Sequence, residues 1–403
     1  MKKFTQSLVF KLLLGIIIGI VIGLVSNETF MTIIVPIRNI LSSFITYMVP
    51  LIILGFITPA IVSLKEDIGK VLGVTLLICY ISSVGAAVFS MVSGYTIIPH
   101  LDIANNVGAG RKLPESPFEL TIDPIFPTMT ALITAILVGI ATLSTKSTTW
   151  ENLLKELNNI VMWIVEKIVI TLLPIYIATT FATLAYEGAI LHELPIFLKI
   201  IIIVIIGHYI WLALLYAIGG ALSKTNPFEV LKHYLPAYVT ALGTMSSAAT
   251  LPVSLRQAGR AKTLGPKIRD FVIPICSNTH LCGSVLTETF FVMTVSKILY
   301  GQLPALSTMI TFACLLGIFA IAAPGVPGGT VVASLGLIIS VLGFDESGTA
   351  LMLSIFALQD SFGTACNITG DGAIALMVTG IFKKVPGRNG NPPYEEIKDD
   401  IIE

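Results

Sequence analysis

The chain has 403 residues, of which 55% are hydrophobic and only 12% are charged, and its formal net charge is zero. A soluble domain carries about 25% charged residues, so this composition predicts a membrane protein. The neutral balance argues against nucleic acid as a partner. The five cysteines lie in or near apolar segments and contain no CxxC pair, so a disulfide framework is not expected.

Apolar windows of about 20 residues predict the first six membrane spans. The first window follows a basic N-terminus and is interpreted as a span rather than as a signal peptide, because its apolar run is long and further spans follow it. The long polar loop of the chain lies at residues 100–120. The six spans are predicted at residues 7–26, 32–64, 71–98, 124–143, 157–186 and 195–221.

Two later segments place small residues and proline between apolar arms, MSSAATLPV at 245–253 and APGVPGGT at 323–330. Each arm has about 12 to 17 residues, too few for a helix to cross a core of about 30 Å. The arms therefore predict two re-entrant hairpins, each followed by a full helix, at 268–300 and 349–382. One hairpin starts inside and the other outside. Such an inverted pair of broken helices indicates a transporter site.

The last predicted helix carries four polar residues in an otherwise apolar segment. Asp360, Thr364, Asn367 and Asp371 follow each other at spacings of 4, 3 and 4 residues, which places them within roughly 60° on one helix face. Helix packing in a membrane explains the threonine and the asparagine, but it explains two acids poorly. Acids at membrane depth indicate a functional site.

The distribution of positive charge predicts the orientation of the spans. If the N-terminus is cytoplasmic, most of the 24 Lys and Arg residues fall in segments on the same side, as the positive-inside rule requires. We therefore expect a multi-pass protein of the cell membrane, in contact with membrane lipid, with cytoplasmic N- and C-termini.

With these residues in view, the chain resembles the dicarboxylate/amino acid:cation symporter family, the glutamate transporter homologues, as a divergent bacterial or archaeal member. The resemblance covers nearly the whole chain in span order. The family's serine-rich turn followed by Thr-Leu-Pro matches residues 246–252, and its Gly-Val-Pro-Gly matches residues 325–328. Its Asp-x-x-Arg-Thr-x-x-Asn-x-x-Gly-Asp is similar to residues 360–371, apart from the arginine.

The resemblance implies an all-α polytopic membrane protein with eight transmembrane helices and two re-entrant helical hairpins in inverted repeats. It also implies a homotrimer in which a mobile transport domain carries the substrate past a scaffold domain. The implied scaffold domain has spans 1 and 2 at residues 1–70 and spans 4 and 5 at residues 121–187. The implied transport domain has span 3 at residues 71–120, a range that includes the external loop, and span 6, hairpin 1, span 7, hairpin 2 and span 8 at residues 188–384. Residues 385–403 would form a cytoplasmic tail.

The resemblance also implies the site residues. Asp360 would bind the substrate's amino group, Asn367 and the serine turn its α-carboxylate, and the second hairpin tip would form the gate. The sodium ion would be bound by Asp371 with backbone carbonyls nearby. The expected substrate residues are Ser246, Ser247, Ser284, Gly325, Val326, Asp360, Gly363, Thr364 and Asn367, and the expected metal ligands are Asp371, Asn367, Cys276, His280 and Asn278.

Two departures from the family pattern modify this expectation. Gly363 stands where the family has the arginine that pairs with an acidic side chain, so a second buried carboxylate would have no partner. We therefore predict a neutral amino acid. Cys282 stands where the family has an aspartate of a deep third sodium site. Hard cations prefer oxygen ligands, so that site is expected to be altered or absent, with Tyr80 and Ser83 as weak remnants.

Two titratable residues are candidates for proton coupling. Glu288 lies four residues after Ser284, where some relatives carry a proton-binding glutamate, and apolar surroundings favour its protonated form. His280 titrates near neutral pH, although a hydrogen-bonded core histidine is an equally good interpretation. We hypothesise that protons partly replace sodium as the coupling ion, and we expect no covalent cofactor. The remaining histidines, His100, His192, His208 and His233, fall near predicted span ends or loops and are interpreted as structural.

The predicted function is therefore symport of a neutral amino acid into the cell by an elevator-type alternating-access mechanism, coupled to a sodium or proton gradient. A carrier of acidic amino acids or dicarboxylates is the first alternative, and a passive channel is a more distant one. An intramembrane enzyme built on Ser246, His280 and Asp371 is disfavoured, because the chain has no HExxH or GxSxG motif. We expect no enzymatic activity.

Overall fold

A computed structural model describes residues 8–62, 69–101, 111–118, 120, 122–188 and 190–383 of the chain. These described residues form helices joined by short connections and contain no strand. The predicted tail at 385–403 and much of the polar loop lie outside them. The all-α class implied by the family resemblance agrees with this architecture.

The first half of the chain forms seven long helices. A short 3-10 helix, Ile98–His100, follows the third of them, and a π-helical turn, Val165–Val169, joins the fifth to the sixth. The helices are α1 Leu8–Val25, α2 Glu28–Val62, α3 Gly69–Ile97, α4 Thr128–Thr145, α5 Thr148–Ile164, α6 Ile170–Tyr186 and α7 Ile190–Ser223.

The predicted start of the fifth span, at residue 157, is wrong, because α5 already begins at Thr148. Lys146 ends α4 in the left-handed conformation, with φ 53°. Ser147 then caps α5 by accepting a hydrogen bond from the Trp150 backbone N–H at 3.4 Å. An apolar window misses this segment because α5 is amphipathic in its first turns, where charged side chains alternate with apolar ones.

The second half of the chain forms shorter helices and one very long one. They are α8 Phe228–Leu231, α9 Leu235–Thr244, α10 Ser247–Ala258, α11 Pro266–Thr279, α12 Cys282–Tyr300, α13 Leu306–Ala322, α14 Gly329–Ser340 and α15 Glu346–Lys383. The full helix predicted at 268–300 is thus interrupted between α11 and α12. His280, with φ −112° and ψ 89°, lies outside the helical region at this break.

The helix pairs α9–α10 and α13–α14 are too short to cross a membrane helix by helix. The longest of the four, α13, has 17 residues, or about 26 Å at 1.5 Å per residue, against a hydrocarbon core of about 30 Å. Among the described residues, six helical segments are long and apolar enough to span. The arms of these two pairs are not among the six, although α13 and α14 are apolar.

The helices differ sharply in how much of their surface the protein covers. In the segments Ile268–Tyr300 and Glu346–Phe382, 94% of the most apolar window is buried, against 33% to 59% in the other four candidate spans. The long helix α15 packs against α7, α9, α11 and α12. Its polar stripe therefore faces protein and not lipid.

A glycine stripe fixes α1 against α6. A Cβ added at Gly15, Gly19 or Gly23 would lie 2.3 to 2.7 Å from a backbone carbonyl oxygen of α6, so only glycine allows this approach. Through such contacts α1, α2, α4, α5 and α6 pack among themselves, whereas α3, α7 and α9 to α15 form a second packed group. The two groups meet mainly where α13, α14 and α15 contact α2, α4 and α6.

Candidate functional site

The two short helix pairs touch each other at their tips. Ser246 is the N-cap of α10, and its hydroxyl both accepts from the Ala249 N–H at 3.2 Å and donates to the Gly325 carbonyl at 2.7 Å. The Ala248 N–H donates to the same carbonyl at 3.2 Å. The left-handed residues Met245 and Gly328, with φ 53° and 71°, form the sharp turns. The tip residues predicted from the two motifs are thus in direct contact.

Asp360 binds the second tip. Its Oδ2 accepts a hydrogen bond from the Gly328 N–H at 2.6 Å, at the N-terminus of α14. A carboxylate is favoured there by the helix dipole. Asp360 is 4% exposed. It is therefore a buried anion that faces the tip of a short, broken helix pair.

Asn367 forms hydrogen bonds with the start of α12, directly after the break between α11 and α12. Its Oδ1 accepts from the Gly283 and Ser284 N–H groups at 2.7 and 3.2 Å, and its Nδ2 donates to the Ser284 hydroxyl at 2.9 Å. The first N–H groups of a helix have no partner within it, and Asn367 satisfies two of them from α15. This contact explains why a polar residue stands at that position even before any ligand is considered.

We predict that Gly283→Ala destabilises this junction. A Cβ at Gly283 would lie 2.5 Å from the Cβ of Cys366 and 2.5 Å from the Gly363 carbonyl. Overpacking of this kind costs about 1–3 kcal/mol, so the melting temperature in detergent should fall by several degrees. The matched control is Gly73→Ala in α3, where a Cβ would meet nothing within 4 Å. Equal melting temperatures for the two variants would contradict the close approach.

His280 contacts both α3 and α15, at the C-terminal end of the polar stripe. Its Nδ1 lies 3.1 Å from Asp371 Oδ1, and its Nε2 lies 2.9 Å from the Ser82 hydroxyl of α3. His280 and Asp371 are both 0% exposed. The predicted metal ligand His280 therefore contacts the predicted metal ligand Asp371 directly.

The donor set around Asp371 is compatible with a small cation on the free side of the carboxylate. Its Oδ2 is buried without a hydrogen-bond partner among the described residues, and hard cations take oxygen ligands. Within the described part of the chain no group of three or more His, Cys, Asp or Glu side chains is arranged to bind a metal ion. A cation here would rely on backbone carbonyls, such as that of Cys276, which already accepts from the His280 N–H at 2.8 Å.

Glu288 contacts the second helix pair from α12. Its Oε1 accepts a hydrogen bond from the Ser334 hydroxyl of α14, while its Oε2 has no partner among the described residues. Both residues are 0% exposed. A buried carboxyl group with one unpaired oxygen is costly when ionised.

In the described part of the chain, no hydrogen bond joins the residues expected around a third sodium site to one another. Cys282 is buried at the start of α12. The Tyr80 hydroxyl donates to the Cys314 carbonyl at 3.3 Å. The Ser83 hydroxyl is buried without a partner in the described residues. Nearby, the thiols of Cys79 and Cys276 lie 3.7 Å apart.

The other predicted site residues surround the tips and the stripe. Ser247 and Thr364 are buried, and Val326 is half-buried. A Cβ at Gly363 would lie 3.4 Å from Ser284, an ordinary contact. Asn278 is exposed at the end of α11, and its Oδ1 would lie 3.3 Å from a Cβ at Gly325. Asn278 thus faces the second tip.

Three buried polar residues at the site were not identified from the sequence motifs. Ser82 and Ser334 contact His280 and Glu288, as described above. His208 was expected near a span end, but it lies in the middle of α7 and is 3% exposed. Its Nε2 lies 3.0 Å from both the Gly283 carbonyl and the Thr287 hydroxyl. The available signal was a single polar side chain within a long apolar span.

Comparison with known proteins gives one family. The family described as the sodium:dicarboxylate symporter family matches residues 8–381. This match confirms the resemblance inferred from the tip and stripe motifs. The family consists of transporters, so an intramembrane enzyme is no longer a candidate.

Individual relatives include transporters named for excitatory amino acids and a transporter named for neutral amino acids. Human excitatory amino acid transporter 2 is 28% identical over 186 residues, 45% of this chain and 31% of the relative. An excitatory amino acid transporter of Caenorhabditis elegans is 27% identical over 161 residues, 39% of this chain and 31% of the relative. Rat neutral amino acid transporter B(0) is 25% identical over 208 residues, 50% of this chain and 36% of the relative. The matched region spans about a third of the length of each relative.

Proposed function

The chain belongs to the sodium:dicarboxylate symporter family, and from that premise we propose that it is a secondary active symporter for a neutral amino acid. The observation that carries the proposal is the position of Asp360. A buried carboxylate at the contact of two broken helix pairs can bind an ammonium group that is shielded from water. Backbone N–H groups at the tips, where α10 and α14 begin, can bind the substrate's carboxylate.

The side chain of the substrate is proposed to be uncharged. Gly363 lies beside Ser284 between Asp360 and Asn367, and it offers no cation for a second carboxylate. A buried carboxylate without a partner is strongly disfavoured. Relatives of both substrate types match this chain at similar identity, so the identity of this residue, and not overall similarity, supports the proposal. Acidic amino acids or dicarboxylates are the alternative substrates, and a passive conductor is a more distant alternative.

The transport movement is proposed to be of the elevator type. The two packed groups of helices support it, because every proposed site residue lies in α3, α7 and α9 to α15 or in the connections between them, and none lies in α1, α2, α4, α5 and α6. The group formed by α3, α7 and α9 to α15 corresponds to the proposed transport domain, residues 71–120 and 188–384. The group formed by α1, α2, α4, α5 and α6 corresponds to the proposed scaffold, residues 1–70 and 121–187. The lengths of α9–α10 and α13–α14 support two re-entrant hairpins beside eight spans. A homotrimer with cytoplasmic termini in the cell membrane completes the proposal.

The coupling cation is proposed to act at two positions. Sodium would bind the unpaired Oδ2 of Asp371 together with backbone carbonyls near Asn367, Cys276 and His280, with Asn278 as a further candidate. A proton would bind Glu288, whose carboxyl group has an unpaired oxygen next to the second hairpin, or His280. Each cation would neutralise a buried acid and so lower the cost of holding it away from water.

Uptake by proteoliposomes tests the proposal. The purified protein is reconstituted, and a panel of labelled amino acids and dicarboxylates is offered under a sodium gradient and a proton gradient imposed separately. We expect concentrative uptake of at least one neutral amino acid under at least one gradient. Accumulation of acidic substrates alone would contradict the neutral assignment, and equilibration without accumulation would indicate a passive conductor.

We predict that Glu288→Gln removes proton coupling. The amide keeps the size of the side chain and an acceptor for Ser334, but it cannot bind or release a proton. Uptake driven by a proton gradient should fall to the background level, while exchange of labelled for unlabelled substrate continues. The control is Glu229→Gln in the short helix α8, where the carboxylate pairs with Lys232 at 2.6 Å. A proton gradient that drives the Glu288 variant as well as the native protein would show that the proton binds elsewhere.

A further inference from the structure

A cavity of about 380 Å³ lies between α5 and the tip of the second hairpin. One wall is formed by α2 and by the α5 residues Glu151, Lys155 and Asn158. The opposite wall is formed by Asn278 at the end of α11 and by Pro324 at the hairpin tip. Cavities that bind small molecules have volumes of about 300–1,000 Å³, so this one can hold a free amino acid.

The polar side of α5 faces this cavity. Glu151, Lys155, Asn158 and Met162 follow each other at spacings of 4, 3 and 4 residues, and they therefore lie within about 60° on one helix face. The Asn158 side chain donates to the Gly55 carbonyl at 2.8 Å and so ties this face to α2. The opposite face of α5 carries apolar residues that are each more than half exposed: Trp150, Leu153, Ile160 and Trp163.

The cavity extends to the contact between the two hairpin tips. Pro324 directly precedes Gly325, whose carbonyl accepts the hydrogen bond from Ser246 at 2.7 Å. Asn278 lines the cavity and also adjoins Gly325. The cavity therefore adjoins the contact between the two hairpin tips.

The cavity contains one cationic and one anionic side chain. Lys155 Nζ lies 2.7 Å from Glu151 Oε1, with side-chain exposures of 63% and 14%. A free amino acid carries an ammonium and a carboxylate on one carbon, so it can replace the internal pair with two new ones. Because Lys155 is largely exposed, its ion pair with Glu151 contributes little, and breaking that pair costs little. The apolar part of the cavity, which includes Met162 and Val62, can contact an uncharged side chain.

We propose that this cavity is a second, transient binding site for zwitterionic amino acids, in which Glu151 binds the ammonium group and Lys155 the carboxylate. It lies between the second hairpin tip and the first turns of α5. The inference rests on the proposed function. It adds a site that is built largely from α2 and α5, outside the helices that carry Asp360 and the stripe.

Chemical protection tests the site without relying on transport. Met162→Cys places a thiol in the cavity and leaves both charged residues in place. The background is Cys314→Ser, because Cys314 is exposed while Cys79, Cys276, Cys282 and Cys366 are buried. Alkylation of the new thiol by a maleimide is then followed with and without a neutral amino acid that the native protein transports.

We expect the amino acid to slow alkylation, and we expect the protection to persist when Asp360→Asn has inactivated the first site. Adding Lys155→Gln or Glu151→Gln should raise the amino-acid concentration needed for half-maximal protection by about fivefold. The charge controls Glu156→Gln and Lys167→Gln, both at exposed positions outside the cavity, should leave it unchanged. Loss of protection with Asp360→Asn, or no effect of either cavity variant, would overturn the inference.

Transport from the two sides separates this inference from the proposed function. In inside-out and right-side-out vesicles, Lys155→Gln should raise the half-saturating amino-acid concentration about fivefold on the side of α5's first turn and leave the other side within about twofold. Equal changes on both sides would overturn the second site but leave symport intact. An absence of neutral amino-acid uptake by the native protein would instead contradict the proposed function itself.

Discussion

Replacing Asp360 by asparagine is expected to abolish amino-acid uptake and to leave a folded protein. Asparagine has the size of aspartate, and its Oδ1 can still accept the hydrogen bond from the Gly328 N–H, which Asp360 holds at 2.6 Å. The contact between α15 and the second hairpin tip therefore survives. What disappears is the negative charge, which is the only part of the side chain that distinguishes an ammonium ligand from a neutral one.

The size of the effect follows from burial. Asp360 is 4% exposed, so a substrate ammonium next to the asparagine would be a buried charge without a partner. Leaving such a charge unpaired costs about 3–5 kcal/mol. The apparent affinity for the amino acid should therefore fall by at least about 100-fold, since each 1.4 kcal/mol corresponds to a factor of ten.

Two measurements check this prediction together. Uptake into proteoliposomes gives the affinity, and size-exclusion chromatography with thermal unfolding shows whether the variant is folded. The control is Asp270→Asn, which removes a surface carboxylate paired with Arg269 at 2.6 Å and should leave uptake within about twofold. Unchanged affinity in the Asp360 variant would show that the ammonium group binds elsewhere.

The composition and the polar stripe were enough to predict the class of the protein and the helix that carries most of its site. Helical periodicity is local, so Asp360 and Asp371 could be placed on one face without knowledge of the fold, and both lie on α15. The hairpin tips were also visible, because serine, proline and glycine mark broken helices. The tip contact between Ser246 and Gly325 joins these two motifs.

The partners of the stripe could not be predicted from local pattern. His280 and Asp371 are 91 positions apart in sequence, and Ser82 and His280 are 198 apart, so only the packing of α3, α11 and α15 brings them together. The break at residues 280–281 was missed because the apolar window runs through it. The start of α5 was missed for the opposite reason, since its charged residues hide an amphipathic helix from a hydropathy window.

The most specific expectation concerns the position at which the chain departs from its family. Gly363→Arg should shift the preference from neutral toward acidic amino acids. A Cβ at this position would lie 3.4 Å from Ser284, so the first atom of the new side chain makes an ordinary contact with α12. The guanidinium group would then supply the buried cation that a second substrate carboxylate requires.

The ratio of acidic to neutral uptake should rise by at least about 100-fold, for two reasons that act in the same direction. A carboxylate paired with arginine gains charge-assisted hydrogen bonds, whereas a neutral substrate leaves the new cation unpaired in a buried site, at a cost of a few kcal/mol. Competition between labelled serine or alanine and labelled aspartate in the same proteoliposomes measures the ratio directly.

Gly363→Met separates the charge from the volume. Methionine fills the same space without a cation, so neutral uptake should fall while acidic uptake stays at background. If the arginine variant is folded and behaves like the methionine variant, the side chain of the substrate does not approach Gly363. The neutral specificity would then have to come from another part of the pocket, and the absence of arginine at this position could no longer support the substrate assignment.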